Sequence, residues 1–372
     1  MNPRAVTIEV VVVDDSAFMR RAIQKMIEKE SDLRVVGTAS SGEEGIAMAE
    51  RLRPDVITMD VEMPGMGGLE AARAIVERRG PPIIMVSALT REGAETTLRA
   101  LEIGAVDFIP KPDSALIDIV NVQRDLVEKL RHFGARSAYM RTIAPRRAAR
   151  PAPVAPPPAT APPPPARAPF SGAPARTFAC VAIGTSTGGP VALSQILPKL
   201  PASFPLPIVV VQHMPPGFTR PLAERLDSAS KIAVVEGTEG MPLVPGTAII
   251  APAGKQLRLR RSGLGVITVT LAGETERSLH VPSVDAMAAS VGETYGSASL
   301  GVILTGMGHD GVSGLRVIKE RGGYVLGQDE ASSVVYGMPR AAAVAGLVDR
   351  VIPLEDVARA LCELTGAAYA PV

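Results

Sequence analysis

Two cysteines in 372 residues, Cys180 and Cys362, are too few and too far apart for a disulfide framework or a metal knuckle. Neither device is expected to hold this fold, and Cys180 reads as a small core residue. Net charge is equally scarce: 39 Lys and Arg against 38 Asp and Glu leave a formal +1. That balance offers no overall field for nucleic acid or for a cationic partner. No apolar run approaches membrane-spanning length. The stretch Ile8 to Val13 is short and stops at Asp14-Asp15, unlike a secretory leader with its cleavage site. Cytoplasmic residence without direct membrane insertion is therefore the expectation. What the chain does have is bulk, because 46% hydrophobic residues over this length can fill more than one core.

From Val10 to about Leu130, short β-branched runs alternate with longer amphipathic stretches, the pattern of repeated βα units on a parallel sheet. Five strands are expected, at Glu9 to Val13, Leu33 to Thr38, Val56 to Met59, Ile83 to Val86 and Val106 to Ile109. Ligands of open α/β sheets gather beyond the carboxyl ends of the strands. There the sequence places Asp14 and Asp15, Asp60, Ser87 and Lys111-Pro112. Three carboxylates at one edge repel unless a hard cation lies between them, and an all-oxygen set suits Mg²⁺. A carboxylate so placed can accept a phosphoryl group while the cation and Lys111 neutralise its oxygens and Ser87 donates a hydrogen bond. Ordinary helix caps would explain single aspartates, but not four matching positions together.

Between about Gly134 and Arg176 periodicity ends. Proline runs at Pro156 to Pro158 and Pro162 to Pro165, spaced by alanines and arginines such as Arg146, Arg147 and Arg150, cannot build a core and read as a linker. A second α/β pattern starts at Phe178, with strands expected at Phe178 to Ile183, Pro207 to Gln212, Thr247 to Ile250, Leu257 to Arg260, Val266 to Leu271 and Ser299 to Leu304. Later ones fall near Tyr324 to Gly327 and Leu347 to Ile352. The section from Ala248 to Leu271 suggests a hairpin inserted into a mostly parallel sheet.

Gly184-Thr185-Ser186-Thr187-Gly188-Gly189 follows the first of these strands. It admits three readings: a nucleophile on a tight elbow, a phosphate cradle, or a βα turn whose glycines permit close packing. Two other strands end on reactive types, at His213 and, across Thr305 to His309, at Asp310. Together they give chemistry for acyl transfer, with His213 taking the Ser186 proton and Asp310 orienting the imidazole. The Met307 backbone amide is a candidate oxyanion donor. His280 and His309 are rival bases, and Asp285, Asp329 and Glu330 rival orienters. A dinucleotide fold would need an acid near Val209 to Gln212 and none is there; neither a Gly-Lys-Ser/Thr loop nor a His-Glu-x-x-His motif occurs.

Val12-Val13-Asp14-Asp15-Ser16, Met59-Asp60-Val61-Glu62-Met63-Pro64, Ser87-Ala88 and Lys111-Pro112 resemble the receiver domain of two-component response regulators. The resemblance implies phosphorylation of Asp60 by a histidine kinase, Mg²⁺ held at Asp14, Asp15 and Asp60, a switch pair of Ser87 and Phe108, and a cis peptide at Lys111-Pro112. The second half, through Gly184 to Gly189, Gln212 to Thr219, Pro282-Ser283-Val284-Asp285, Leu304 to Gly311 and Gly337 to Arg340, resembles the chemotaxis protein-glutamate methylesterase (CheB) family. That resemblance implies Ser186 as nucleophile, His213 as base, Asp310 as orienter and the Met307 amide in the oxyanion hole. The implied reaction is hydrolysis of glutamate methyl esters on methyl-accepting chemoreceptors, with glutamine deamidation at the same class of site. No cofactor is implied for the esterase. It also implies a CheA-like kinase as phosphoryl donor and a resting receiver packed over the crevice. Val281 departs from the arginine common in the family before Pro-Ser-Val-Asp.

The expected architecture is a flavodoxin-like receiver of five βα units over residues 1–133, a Pro/Ala-rich linker over 134–176, and a doubly wound, mostly parallel α/β domain with an antiparallel hairpin over 177–372. The competing reading of another class is a phosphorylation-dependent adaptor whose second domain binds a partner without needed turnover.

Overall fold

Five apolar residues broken only by Glu9 form strand β1, Ile8–Val13, and because helices cover both sheet faces the run needs no polar alternation. The computed structural model describes residues 6–111, 119–143, 177–263, 265–273 and 280–369. The expected cis bond before Pro112 and the linker over residues 144–176 lie outside the described residues. β1 is followed by α1 (Ala17–Glu28), β2 (Leu33–Ala39), α2 (Gly42–Leu52), β3 (Val56–Asp60), α3 (Gly68–Glu77), β4 (Ile83–Ser87), α4 (Arg91–Glu102), β5 (Asp107–Pro110) and α5 (Ile119–Ile143). The strands pair in parallel in the order β2-β1-β3-β4-β5, the flavodoxin-like order.

Helix α5 continues past Gly134, where the sequence suggests that the linker starts, to Ile143. Glycine inside a helix costs about 1 kcal/mol relative to alanine, but here it serves packing: a Cβ on Gly134 would lie 2.4 Å from Cγ2 of Ile8. The residue lets α5 approach β1 closely, so what reads as a breaker is a contact.

The second half contains β6 (Cys180–Thr185), α6 (Gly189–Ile196), β7 (Ile208–Gln212), α7 (Thr219–Ala229), β8 (Ala233–Glu236), β9 (Thr247–Ile250), β10 (Gln256–Arg261), β11 (Ile267–Ala272) and α8 (Val284–Tyr295). It ends with β12 (Ser299–Ile303), α9 (Val312–Glu320), β13 (Tyr324–Gln328), α10 (Met338–Val344), β14 (Arg350–Ile352) and α11 (Leu354–Thr365). Seven strands form one parallel sheet in the order β14-β13-β12-β6-β7-β9-β8, while β10 and β11 pair antiparallel beside it. The inserted hairpin is thus a separate two-stranded ribbon, and β9 belongs to the main sheet. Chain direction along the sheet order reverses beside β6, which makes the end of β6 the switch point where a crevice opens. Both cysteines are free and buried, and burial pushes the Cys180 thiol well above its ordinary range.

The halves meet through α4, which packs on α6 and α7. Phe108 of β5 stacks on Phe218 with ring centroids 4.6 Å apart, Arg91 pairs with Glu224 at 2.8 Å, and Arg225 pairs with Glu102. The ion pairs are partly exposed and worth at most about 1 kcal/mol each; the apolar contact contributes more. No helix among the described residues is long and apolar enough to cross a membrane.

Candidate active site

Every residue from Cys180 to Pro190 is buried except Ser186, which is half-exposed. The backbone accounts for this. Ser186 N–H donates to Thr305 O at 3.0 Å, Gly189 N–H returns to Ser186 O at 2.8 Å, and Gly188 takes φ +79° before the helix begins. The turn turns the hydroxyl outward while the amides around it are tied down. Glycine is required across the loop as well: a Cβ on Gly306 would lie 2.9 Å from Cβ of Ser186 and 2.3 Å from the Met338 sulfur. Pro190 occupies the first helical turn, where its missing donor costs little.

His213 follows β7 and Asp310 follows β12, and their side chains meet: His213 Nε2 lies 2.7 Å from Asp310 Oδ2. The other ring nitrogen, Nδ1, is buried and has no hydrogen-bond partner. Among the described residues no hydrogen bond joins Ser186 Oγ to the ring, though both residues line one crevice of about 980 Å³ with Met307 and Asp310. Catalytic hydrogen bonds of this kind often close only around substrate. Gln212 fixes the strand end, its Nε2 donating to the carbonyls of Ser186 and His213, both at 2.9 Å. The Met307 amide donates no hydrogen bond among the described residues, whereas the Ser186 amide is already engaged.

Asp310 is surrounded by donors. Oδ1 accepts from Ser283 Oγ at 2.9 Å and from Asp285 N–H at 3.0 Å, while Oδ2 accepts from Val284 N–H at 2.7 Å besides the imidazole. Burial alone would raise its pKa, but the His213 contact and then these amides hold it far below the ordinary carboxylate range. The exchange is mutual: Asp285, in the first turn of α8, accepts from Gly311 N–H at 2.9 Å and Gly314 N–H at 2.8 Å at the start of α9. Each aspartate therefore sits at the other helix's positive end.

The rivals resolve into other roles. Asp285 caps α9 and does not reach the imidazole. His280 stacks on His213, ring centroids 4.1 Å apart and planes 12° from parallel. Desolvation, then the charge of His213, lowers His280 to about 4, which leaves it a neutral ring against the site at pH 7. His309 is an exposed neighbour of Asp310. Asp329 ties the loop after β13, accepting from Ser332, and Glu330 lies on that loop. Sequence reasoning missed Gln212, Ser283 and Thr187. Ser283 had a readable signal, as a serine opening a helix; the other two act through distant chain segments.

At the edge of the five-stranded sheet, Asp14, Asp15 and Asp60 have oxygens within 4.8 Å of one another. Lys111 Nζ lies 2.8 Å from Asp60 Oδ2 and 3.7 Å from Asp14 Oδ2. Asp14 Oδ2 is buried without a hydrogen-bond partner. An all-carboxylate set with one orphaned buried oxygen fits a hard divalent cation. Burial, only partly offset by the Lys111 hydrogen bond, raises Asp60 to about 6 and also raises Asp14. Burial would lower Lys111, but the hydrogen bond and charge of Asp60 leave it raised. Ser87, at the end of β4, and Phe108, on β5, are both buried.

The raised Asp60 makes a stability prediction. Its contribution is fully present below the unfolded carboxylate pKa near 4 and is lost as pH rises through about 6. Without divalent cation at pH 7.5, Asp60→Asn is expected to stabilise the receiver by ~2 kcal/mol, and the gain is expected to vanish by about pH 4. Thermal unfolding of the full chain in chelator across this range measures it; equal stability of both proteins at pH 7.5 refutes it.

The family model for the CheB methylesterase matches residues 181–361, and that for the response regulator receiver domain matches residues 10–121. A protein-glutamate methylesterase/protein-glutamine glutaminase of Oleidesulfovibrio alaskensis is 47% identical over 365 residues, covering 95% of this chain and 98% of its own. A protein of the same description from Pyrococcus abyssi is 42% identical, over 94% of this chain and 91% of its own. The crystal structure of the Thermotoga maritima CheB methylesterase catalytic domain is similar to 51% of this chain and 100% of that chain, at 42% identity and a TM-score of 0.49.

Proposed function

The chain belongs to the CheB-type protein-glutamate methylesterase/protein-glutamine glutaminase family, and from that premise we propose that it is a serine hydrolase using Ser186, His213 and Asp310. The observation that carries the reading is the half-exposed Ser186 in the same crevice as an imidazole bound at one nitrogen by Asp310 and unpartnered at the other. Ser186 Oγ attacks the side-chain carbonyl carbon of a glutamyl methyl ester as His213 Nδ1 takes its proton. The oxyanion receives the Met307 N–H. The carbonyl–OCH₃ bond then breaks, His213 returns the proton to the departing methoxy group, and methanol leaves an acyl-enzyme. Water attacks this ester with His213 again as base, releasing glutamate and Ser186. A glutamine side chain follows the same path with ammonia as leaving group. Asp310 stays ionised throughout and stabilises the imidazolium. We propose methyl-accepting chemoreceptors as the substrate, and methanol release from their methyl-esterified form is the test; no release by the phosphorylated chain refutes the proposal.

The receiver half places phosphorylation control on this chemistry. We assign Asp60 as the acceptor of a phosphoryl group from a histidine kinase, with Asp14, Asp15 and Asp60 holding Mg²⁺. The cation would neutralise charge on the phosphoryl oxygens, Lys111 adds to that neutralisation, and Ser87 with Phe108 forms the switch. The receiver is proposed to extend through α5, and the catalytic domain to start near residue 177.

The contact that carries the control lies one residue from the nucleophile. Thr187 Oγ1 donates to Asp107 Oδ2 at 2.7 Å in a buried position, and Asp107 also pairs with Lys129 at 3.2 Å. Lys129, raised to about 12 by Asp107 and Asp125 against the effect of burial, donates to Phe108 O at 2.7 Å. Phosphorylation that moves Phe108 thus pulls on the bond at Thr187. A hydrogen bond to a charged acceptor contributes about 1.5 kcal/mol, so Thr187→Val and Asp107→Asn are each expected to raise unphosphorylated activity up to roughly tenfold. Initial rates with and without phosphoryl donor measure this. Unchanged basal rates in both variants would discard the contact as a restraint.

A further inference from the structure

Asp310 holds the imidazole of His213 by one edge. Its Oδ2 lies 2.7 Å from Nε2, while Nδ1 is buried without a hydrogen-bond partner. One in-plane contact does not set the tilt of a ring or what lies against its faces. Against His213 lies a second imidazole, that of His280, with ring centroids 4.1 Å apart and planes 12° from parallel.

The segment that delivers His280 is fixed along its length. His280 O accepts from Gln256 Nε2 at 2.9 Å, Val281 O accepts from Gly254 N–H at 3.0 Å, and Ser283 N–H donates to Gln256 Oε1 at 2.8 Å. Gln256 is itself buried at the start of β10, and its amide reaches both ends of the segment. At the far end Ser283 Oγ donates to Asp310 Oδ1 at 2.9 Å. One anchored stretch therefore carries a ring to the face of the base and a hydroxyl to its orienter.

The charged and titratable groups around His280 are His213, Asp310 and His309 of the catalytic half and Arg124 of α5. Desolvation and the charge of His213 lower His280 to about 4, so it is neutral at pH 7 when His213 takes up a proton. A neutral aromatic face favours a cation forming against it, whereas a second charged ring at 4.1 Å would oppose it. Uncharged His213 gains little from the stack and the imidazolium gains more. A contact that strengthens in this way as the reaction proceeds raises kcat.

We propose that His280 is a positioning residue for the esterase reaction: its ring sets the tilt of His213, keeps water from one face of it and stabilises the imidazolium as it forms. The inference rests on the serine-hydrolase reading and adds to it a side chain that acts only through His213.

The test uses the full chain with a phosphoryl donor and methyl-esterified receptor, in three variants that separate shape from charge. His280→Gln keeps a polar side chain without a ring and is expected to lower kcat roughly three- to tenfold with KM unchanged. His280→Phe supplies an uncharged aromatic face without ring nitrogens and is expected to return kcat to within about twofold of wild type. His280→Lys sets a fixed cation beside the base. There kcat is expected to fall as in His280→Gln, and the acid limb of kcat/KM, which reports His213 in the free enzyme, to move about one pH unit lower. Titration of the His213 ring by NMR in a Ser186→Ala background reads the same shift without turnover. A phenylalanine variant as slow as the glutamine one overturns the proposal, because the ring nitrogens rather than the face would then matter. So does wild-type kcat in His280→Gln, a loss confined to KM, or a His213 titration that His280→Lys leaves in place. Wild-type turnover no faster than that of Ser186→Ala removes the esterase reading itself, and the proposal with it.

Discussion

Ser186→Ala is expected to lower methanol release from methyl-esterified receptor by at least roughly 10⁴-fold, with the chain fully folded. The size follows from the mechanism: without Oγ no acyl-enzyme forms, and what remains is the weak catalysis that bound donors give to direct attack by water. The clean background follows from the structure. Ser186 Oγ makes no hydrogen bond among the described residues, while the turn is held by the Ser186 amide and carbonyl, which alanine keeps. Thermal unfolding of the variant should match the wild type, and both ester hydrolysis and glutamine deamidation should fall together. A variant within tenfold of wild type on either substrate would remove Ser186 as the nucleophile for that substrate.

Asp310→Asn is expected to cost about 10³- to 10⁴-fold in kcat, for a reason visible in its hydrogen bonds. Both oxygens of Asp310 face two donors each. An amide cannot satisfy this. Whichever way it is flipped, its NH₂ points at two donors, so either the imidazole turns away or an α8 amide loses its acceptor. The negative charge that stabilises the imidazolium also disappears. Because Asp310 is lowered in the folded state, its charge stabilises the fold above the unfolded carboxylate pKa and is lost only as pH falls far below it. The variant should therefore unfold at lower temperature near neutral pH, and the difference should narrow in strong acid. Measuring kcat together with unfolding separates the two effects; near wild-type kcat would mean that another group orients His213.

Sequence reasoning reached the strand ends because parallel sheets place chemistry there regardless of detail. Asp60, Ser186, His213 and Asp310 all stand at or just beyond strand ends, and His213 and Asp310 meet there. Such reasoning did less well where a residue's role depends on a distant segment. Gly134 resembles a helix breaker until Ile8 is seen against it. β8 is an edge strand of only four residues, and α10 is a single short helix after Gly337; elements this short carry weak periodicity. Thr187 looked like part of a glycine-rich turn, and nothing local tells that its hydroxyl crosses to Asp107, 80 positions earlier. Asp285 and Asp310 were legible as acids near helix starts, but which one serves the histidine depended on how α8 and α9 pack.

The crevice is bounded on one side by the receiver and on the other by the catalytic half, and this limits how the protein can be recombined. A chimera that grafts a receiver from another response regulator would bring its own phosphorylation chemistry, since the set proposed for it here, Asp14, Asp15, Asp60 and Lys111, lies entirely within the unit being exchanged. It would not bring the partner for Thr187, the ring that stacks on Phe218, or the α5 side chains that line the crevice. Such a hybrid should be phosphorylated normally and yet leave the esterase permanently unlatched. Restoring control in it would call for transplanting a handful of β5 and α5 positions rather than a whole domain.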